Sequence, residues 1–296
     1  MKSAAASIRT DSRIGDIFEL VKARLSLLVL TTTLVGFLLG QGSNPISWFI
    51  LSATLVGTAL SACGAAALNQ WWEREYDSMM KRTRERPLPA GRMHAADAMM
   101  FGVFFSAFGV ACLLLFVNIL SGVLAALTIA IYVLIYTPMK RVSTLNTLVG
   151  AIPGALPPLI GWVAATNTLS LPGWVLFTIL WFWQMPHFLA IGWMYRDEYA
   201  SAGFVVLTGR DPDGGMTARQ ASLYTLCLLV VSLAPAIIYL NSPVYFFGAL
   251  ALGIGFLALA LNFAWHRSRP AARLLFFGSI LYLPLLLALL VVTRNG

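Results

Sequence analysis

The chain has 296 residues, 59% of them hydrophobic and 11% charged, and its mean hydropathy is +0.79. Soluble domains carry about 25% charged residues, so this composition excludes one and points to an integral membrane protein. The formal net charge of +8 needs no nucleic-acid partner, because charge asymmetry across a bilayer also gathers basic residues.

Residues 1–24 read as a cytoplasmic or interfacial segment ahead of a single membrane domain, 25–296. Asp11, Asp16 and Glu19 precede the first apolar run and no small-x-small site follows it, so a cleaved signal is not expected. Ile14, Phe18, Val21 and Leu25 recur at three- or four-residue steps, which predicts a short helix lying at the membrane surface.

Nine apolar runs follow, at 25–40, 47–68, 98–116, 120–136, 144–165, 172–193, 222–240, 244–265 and 274–292. Most are long enough to cross a bilayer, which takes about 17–25 residues, and each must be helical because lipid satisfies no backbone hydrogen bond. The expectation is therefore an all-α polytopic protein. Connections 41–46, 117–119, 166–171 and 241–243 hold no charged residue, whereas the others hold every acid and every base except Arg294. The positive-inside rule places the charged side, with the N-terminus, in the cytoplasm and the C-terminus outside. Cys63, Cys112 and Cys227 lie in apolar runs without a CxxC pair, so neither a disulfide nor a zinc site is expected.

The second charged connection, NQWWEREYDSMMKRTRERPLPAG from Asn69 to Gly91, holds acids that orientation does not require. Asn69, Glu73 and Asp77 are spaced i, i+4, i+8 and would stack on one face if the preceding helix continues. Oxygen ligands in such a column suit Mg²⁺, which usually shares its shell with phosphate oxygens. Lys81, Arg82, Arg84 and Arg86 follow directly and supply donors for phosphate; Pro87 and Pro89 then end any helix. The pattern reads as a magnesium–diphosphate site, with Glu75 and Glu85 off the column face and turned to solvent. A plain solvated loop is the competing reading.

This stretch resembles the first signature of the UbiA superfamily of intramembrane prenyltransferases, with Glu73 where Asp is usual. The resemblance implies nine helices around a cavity open to the cytoplasm, with Mg²⁺ and an isoprenoid diphosphate bound at Asn69, Glu73 and Asp77 and the diphosphate held by Lys81, Arg82 and Arg86. Tyr136 to Trp162 and Trp183 to Gly203 (WQMPHFLAIGWMYRDEYASAG) are similar to the branch of that superfamily that farnesylates haem. That similarity implies farnesyl diphosphate and protohaem IX as substrates, a bacterial inner membrane, and a downstream haem-modifying enzyme or terminal oxidase as partner. A relative that prenylates a quinone precursor and a small-molecule transporter are the alternatives. The second D-x-x-x-D of many members is replaced here by Tyr195 and Tyr199, which leaves a second metal site open, with Asp197 and Glu198 as its remaining candidates.

His187 is the one histidine within a predicted span, and intramembrane ionisable residues mark function by default. Ligation of haem, acid–base chemistry and a helix–helix hydrogen bond are its three readings. Gly150, Pro153, Gly154, Pro157, Pro158 and Gly161 predict either a kinked packing helix or a bent wall beside a cavity. Lys140 and Arg141 at its cytoplasmic end are candidates for haem propionates.

Overall fold

The computed structural model describes residues 13–240 and 242–294; residues 1–12 of the expected N-terminal segment lie outside them. The described residues form helices and connections, without a strand. A short helix, α1 (Arg13–Leu20), precedes nine spanning helices and exposes Ile14, Ile17 and Phe18, as a helix lying in the membrane surface would.

The spans are α2 (Ala23–Gln41), α3 (Trp48–Asp77), α4 (Ala95–Phe116), α5 (Ile119–Met139), α6 (Asn146–Thr166) and α7 (Leu171–Met194), then α9 (Gly215–Leu240), α10 (Pro243–His266) and α11 (Arg269–Val292). A six-residue helix, α8 (Arg196–Ser201), follows α7 on the charged side. The first, seventh and ninth spans extend beyond the apolar runs because polar first turns also join the helices. The Ser47 hydroxyl caps α3, accepting from Ile50 N–H at 3.5 Å. No proline interrupts α3, so it runs 30 residues and carries the charged column out of the apolar layer as one helix.

Close packing fixes the helices around that column. A Cβ added to Gly109 of α4 would stand 2.5 Å from Ser61 N of α3, and one on Gly161 of α6 would stand 1.9 Å from Thr33 O of α2. Side chains larger than hydrogen would part these pairs, which is how small residues bring membrane helices together. The largest buried cluster joins α6 and α7 to α9, α10 and α11. The Pro/Gly helix α6 packs on α2 and also lines a cavity. The three cysteines are free and only partly buried.

Candidate active site

The last turns of α3 place Asn69, Glu73 and Asp77 on one face, all buried. Each meets a cation from a different segment. Lys22 donates to Asn69 Oδ1 at 2.6 Å, Lys140 to Glu73 Oε1 at 2.7 Å and Arg86 to Asp77 Oδ2 at 2.6 Å. The Asn69 amide is oriented from behind: its Nδ2 donates to Thr137 Oγ1 at 3.0 Å, and Thr137 donates to the Tyr132 carbonyl at 2.8 Å. That carbonyl belongs to a widened π turn, Ile131–Tyr136, a departure from α geometry that is common at functional sites. The turn presents Tyr132 and Tyr136 stacked, with ring centroids 5.5 Å apart.

The two lysines differ in their partners. Burial pushes the Lys22 ammonium down to about 7, and the nearby Arg86 and Lys140 add to this. Its hydrogen-bond partner on the column, Asn69, is a neutral amide. Burial acts the same way on Lys140, yet the Glu73 carboxylate overrides it and holds Lys140 above the usual lysine range. Lys140 is therefore the more firmly charged of the two, as an opposite charge in contact dictates.

Lys22, Glu73, Asp77, Arg86, Tyr132, Tyr136 and Lys140 line a cavity of about 290 Å³, whereas Asn69 is fully buried behind them and outside the lining. Glu73 and Asp77 are the only carboxylates among its described lining residues, facing the cations Lys22, Arg82, Arg86 and Lys140. The far wall comes from α6, α7 and the segment after α8, with Asn146, Phe188, Gly192 and Thr208. Thr208 is buried and its hydroxyl has no partner, an uncommon state for a buried polar atom.

A second cavity of about 240 Å³ shares Leu25, Tyr132, Tyr136 and Phe188 with the first. It follows α3 through Ala66, Ala65, Ala62 and Thr58, and Ala125 and Ile160 mark its deep end on α5 and α6. Eleven residues of helix separate Thr58 from Asn69, about 16 Å at 1.5 Å per residue. A charged chamber thus adjoins an apolar one across Leu25, Tyr132, Tyr136 and Phe188.

The structure brings together most of the expected residues. Arg82 and Arg86 line the charged cavity; Lys81 is exposed and is not part of the lining. Glu75 and Glu85 pair with Arg74 and Arg84 at 3.3 Å each, on the exposed side as expected. Asp197 turns away from the cavity to pair with Arg269, and Glu198 is absent from the lining although its Oε2 is buried without a partner. Tyr199 lines the cavity, and both Tyr195 and Tyr199 lie against Arg82. Lys140, a candidate for propionates, is engaged by Glu73 instead, and Arg141 bonds the Tyr76 hydroxyl.

His187 stands one position aside from the cavity lining, between Gln184 and Ile191, which do line it. Its ring lies between Trp183 and Phe276, with centroids 5.1 and 5.0 Å away. Its Nδ1 meets Ser279 Oγ at 2.7 Å, and Ser279 donates to the Phe276 carbonyl. When Ser279 gives its proton to the Phe276 carbonyl, His187 Nδ1 carries the ring proton and Nε2 keeps its lone pair. Lys22, Tyr132, Thr137 and Thr208 were missed by sequence reasoning. Lys22 reads there as one more orienting base, and the other three carry no local signal.

The donor set fits magnesium. Two carboxylates and an amide oxygen, one per helical turn, are hard ligands of the kind Mg²⁺ takes when phosphate oxygens complete its shell. Among the described residues there is no cluster of three or more His, Cys, Asp or Glu, so protein side chains alone would not enclose an ion here.

A model of the UbiA prenyltransferase family matches residues 29–283. A protoheme IX farnesyltransferase of Solibacter usitatus is 46% identical over 289 residues, covering 95% of this chain and 99% of that one. The human mitochondrial protoheme IX farnesyltransferase is 38% identical over 281 residues, covering 95% of this chain and 62% of that one. Among solved structures, a digeranylgeranylglyceryl phosphate synthase superposes with a TM-score of 0.80 at 15% identity, covering 95% of this chain and 98% of that one. A UbiA homolog from Archaeoglobus fulgidus, bound to DMAPP and Mg2+, superposes with a TM-score of 0.69 at 15% identity, covering 93% and 98%.

Proposed function

The chain belongs to the UbiA prenyltransferase family, and on that premise we propose how its two cavities transfer a farnesyl group from farnesyl diphosphate to a vinyl group of protohaem IX. It is a membrane-embedded transferase whose products are haem O and diphosphate. The observation that carries the reading is the adjacency of the two cavities: a chamber holding two carboxylates and four cations shares the wall Leu25, Tyr132, Tyr136 and Phe188 with an apolar chamber. A diphosphate with an isoprenoid tail has that polarity.

The diphosphate lies against Lys22, Arg82, Arg86 and Lys140, whose charges offset the negative charge that grows as the allylic C–O bond breaks. The Glu73 and Asp77 carboxylates, with Asn69 behind them at the base of the column, would hold magnesium, which would supply further neutralisation of the leaving group. The farnesyl tail extends along α3 toward Thr58. About a dozen main-chain carbons span roughly 15 Å, against about 12 Å of α3 from Ala66 to Thr58 along the apolar chamber, so the first carbons of the tail lie among Tyr132, Tyr136 and Phe188.

Tyr132, Tyr136 and Phe188 line both cavities and so flank the carbon that becomes cationic. Their π faces favour a cation, and their bulk keeps water from it until the haem vinyl group attacks. Haem is the second substrate and occupies the α6–α7 wall, with His187 Nε2 as its iron ligand, held in one tautomer by Ser279. After C–C bond formation the cation beside the pyrrole is captured by water, which loses a proton and leaves a hydroxyl. We assign the holding of that water to the unpartnered Thr208 hydroxyl.

The charged connections lie in the cytoplasm of a bacterial inner membrane, the cavity opens to that side and the C-terminus faces outward. The described part of the N-terminal segment, α1, is cytoplasmic or interfacial and precedes one membrane domain that begins at residue 25. Haem O passes to a haem-modifying enzyme or terminal oxidase. Incubation of purified protein with Mg²⁺, haem and farnesyl diphosphate, followed by mass spectrometry of the haem, is the test. Product haem bearing farnesyl plus one water is expected; unchanged haem overturns the reading.

A further inference from the structure

The charged cavity has a feature that the diphosphate reading leaves unexplained. The Arg82 guanidinium sits 5.6 Å from the Tyr195 ring centroid and 5.8 Å from that of Tyr199. It also donates to the Tyr199 hydroxyl at 3.2 Å. Arg82 comes from the loop after α3, whereas the tyrosines come from the α7–α8 junction. The contact therefore joins the two sides of the cavity mouth. Met80, Ala202 and Phe204, packed with Tyr76 and Tyr199, form an apolar cluster alongside it.

The wall that carries these tyrosines offers no carboxylate to the cavity. Asp197 pairs outward with Arg269, Glu198 is not in the lining, and among the described residues the only acids lining the cavity are Glu73 and Asp77 on the opposite wall. Two carboxylates on one helix suffice for one magnesium ion with phosphate oxygens in its shell. A second divalent ion on the tyrosine wall would have no acidic protein ligand and would stand beside a guanidinium. The guanidinium itself suits that position, since its planar donors match phosphate oxygens in pairs. An unrestrained arginine loses rotamer freedom on binding, and two rings fixing its plane in advance remove part of that cost.

We propose that Tyr195 and Tyr199 are positioning residues that hold Arg82 as a fixed cation facing the Asn69–Asp77 column, so that the substrate diphosphate is bound by one divalent ion and an arginine rather than by two divalent ions. This rests on the diphosphate reading above and deepens it: the tyrosines at the α7–α8 junction act through Arg82 and not as metal ligands.

The test uses the full-length protein, Mn²⁺ and the unreactive analogue farnesyl thiolodiphosphate. Titration of free Mn²⁺ by electron paramagnetic resonance, with analogue present, is expected to give one tightly bound ion per chain. Two tight ions would overturn the proposal while leaving the diphosphate reading intact, whereas no analogue-dependent ion would overturn both. Replacing both rings (Tyr195→Ala with Tyr199→Ala) is expected to weaken the analogue about tenfold, the scale of two exposed cation–π contacts, with haem binding unchanged. Tyr195→Phe with Tyr199→Phe keeps both rings and is expected to restore most of the affinity. Loss of haem and analogue binding together, or no recovery with the phenylalanines, would show that the rings serve folding or metal ligation and would overturn the positioning role.

Discussion

Ala125→Leu probes the depth of the apolar chamber. Ala125 is buried on α5 and lines the apolar chamber together with Thr58 and Ile160. Leucine adds three carbons where the last isoprene unit of a farnesyl tail, five carbons long, would lie. Burial contributes about 0.8 kcal/mol per methylene, so excluding most of that unit costs about 2–4 kcal/mol. With tenfold for each 1.4 kcal/mol, kcat/KM for farnesyl diphosphate should fall roughly thirtyfold to several hundredfold. Geranyl diphosphate, one unit shorter, should be nearly unaffected, so the preference between the two inverts. Competition between the two diphosphates, read by the mass of the haem product, measures this directly. Haem binding and thermal stability serve as folding controls. The complementary Ile160→Ala opens the floor and should admit geranylgeranyl diphosphate, at a stability cost of about 2–4 kcal/mol. An unchanged order of preference in a folded Ala125→Leu protein would refute the placement of the tail.

Four further outcomes are expected. Glu73→Ala should abolish turnover and also lower stability by about 3 kcal/mol, because Lys140 is left buried without its partner; Glu73→Gln should abolish turnover with a smaller stability loss, and equal thermal shifts would contradict the Lys140 pairing. His187→Ala should weaken haem binding and shift the Soret band while the diphosphate analogue binds normally; an unchanged band would reduce His187 to a link between α7 and α11. Thr208→Val should divert the final cation from water capture to proton loss, giving a haem product one water lighter, and a wild-type product ratio would remove Thr208 from that role. Asp211, before α9, accepts from Thr217 N–H at 2.6 Å. Burial raises its pKa, but hydrogen bonds from Thr217 and Met216 outweigh this and leave it below 3.8. A depressed carboxylate stabilises the fold above its unfolded pKa and loses that effect as pH falls through the folded pKa. Asp211→Ala should therefore cost about 1 kcal/mol near neutral pH, and thermal melts should show the difference shrinking below about pH 4.

The sequence by itself determined the nine spans, their alternation of charged and uncharged ends, and the Asn69–Glu73–Asp77 column. Each is a one-dimensional property: the hydrocarbon thickness sets the length of a run, and the helical repeat puts every fourth residue on one face. Asp77 needed only an unbroken helix beneath it, and the absence of proline in α3 supplied that. Tertiary structure alone decided the partners. Lys22, Arg86 and Lys140 meet the column from three segments, because packing of α2, α5 and the loop after α3 brings their ammonium and guanidinium groups within 2.6–2.7 Å of it. No periodicity distinguishes Lys22 from the other basic residues on the charged side, nor Lys81, which lies outside the cavity, from Arg82, which lines it, although both are exposed. The apolar chamber is likewise a space between helices. Ala62, Thr58, Ala125 and Pro157 read as ordinary membrane residues along the chain, and only the separation of α3, α5 and α6 turns them into its walls, because a cavity is a property of the distances between elements and not of any one of them.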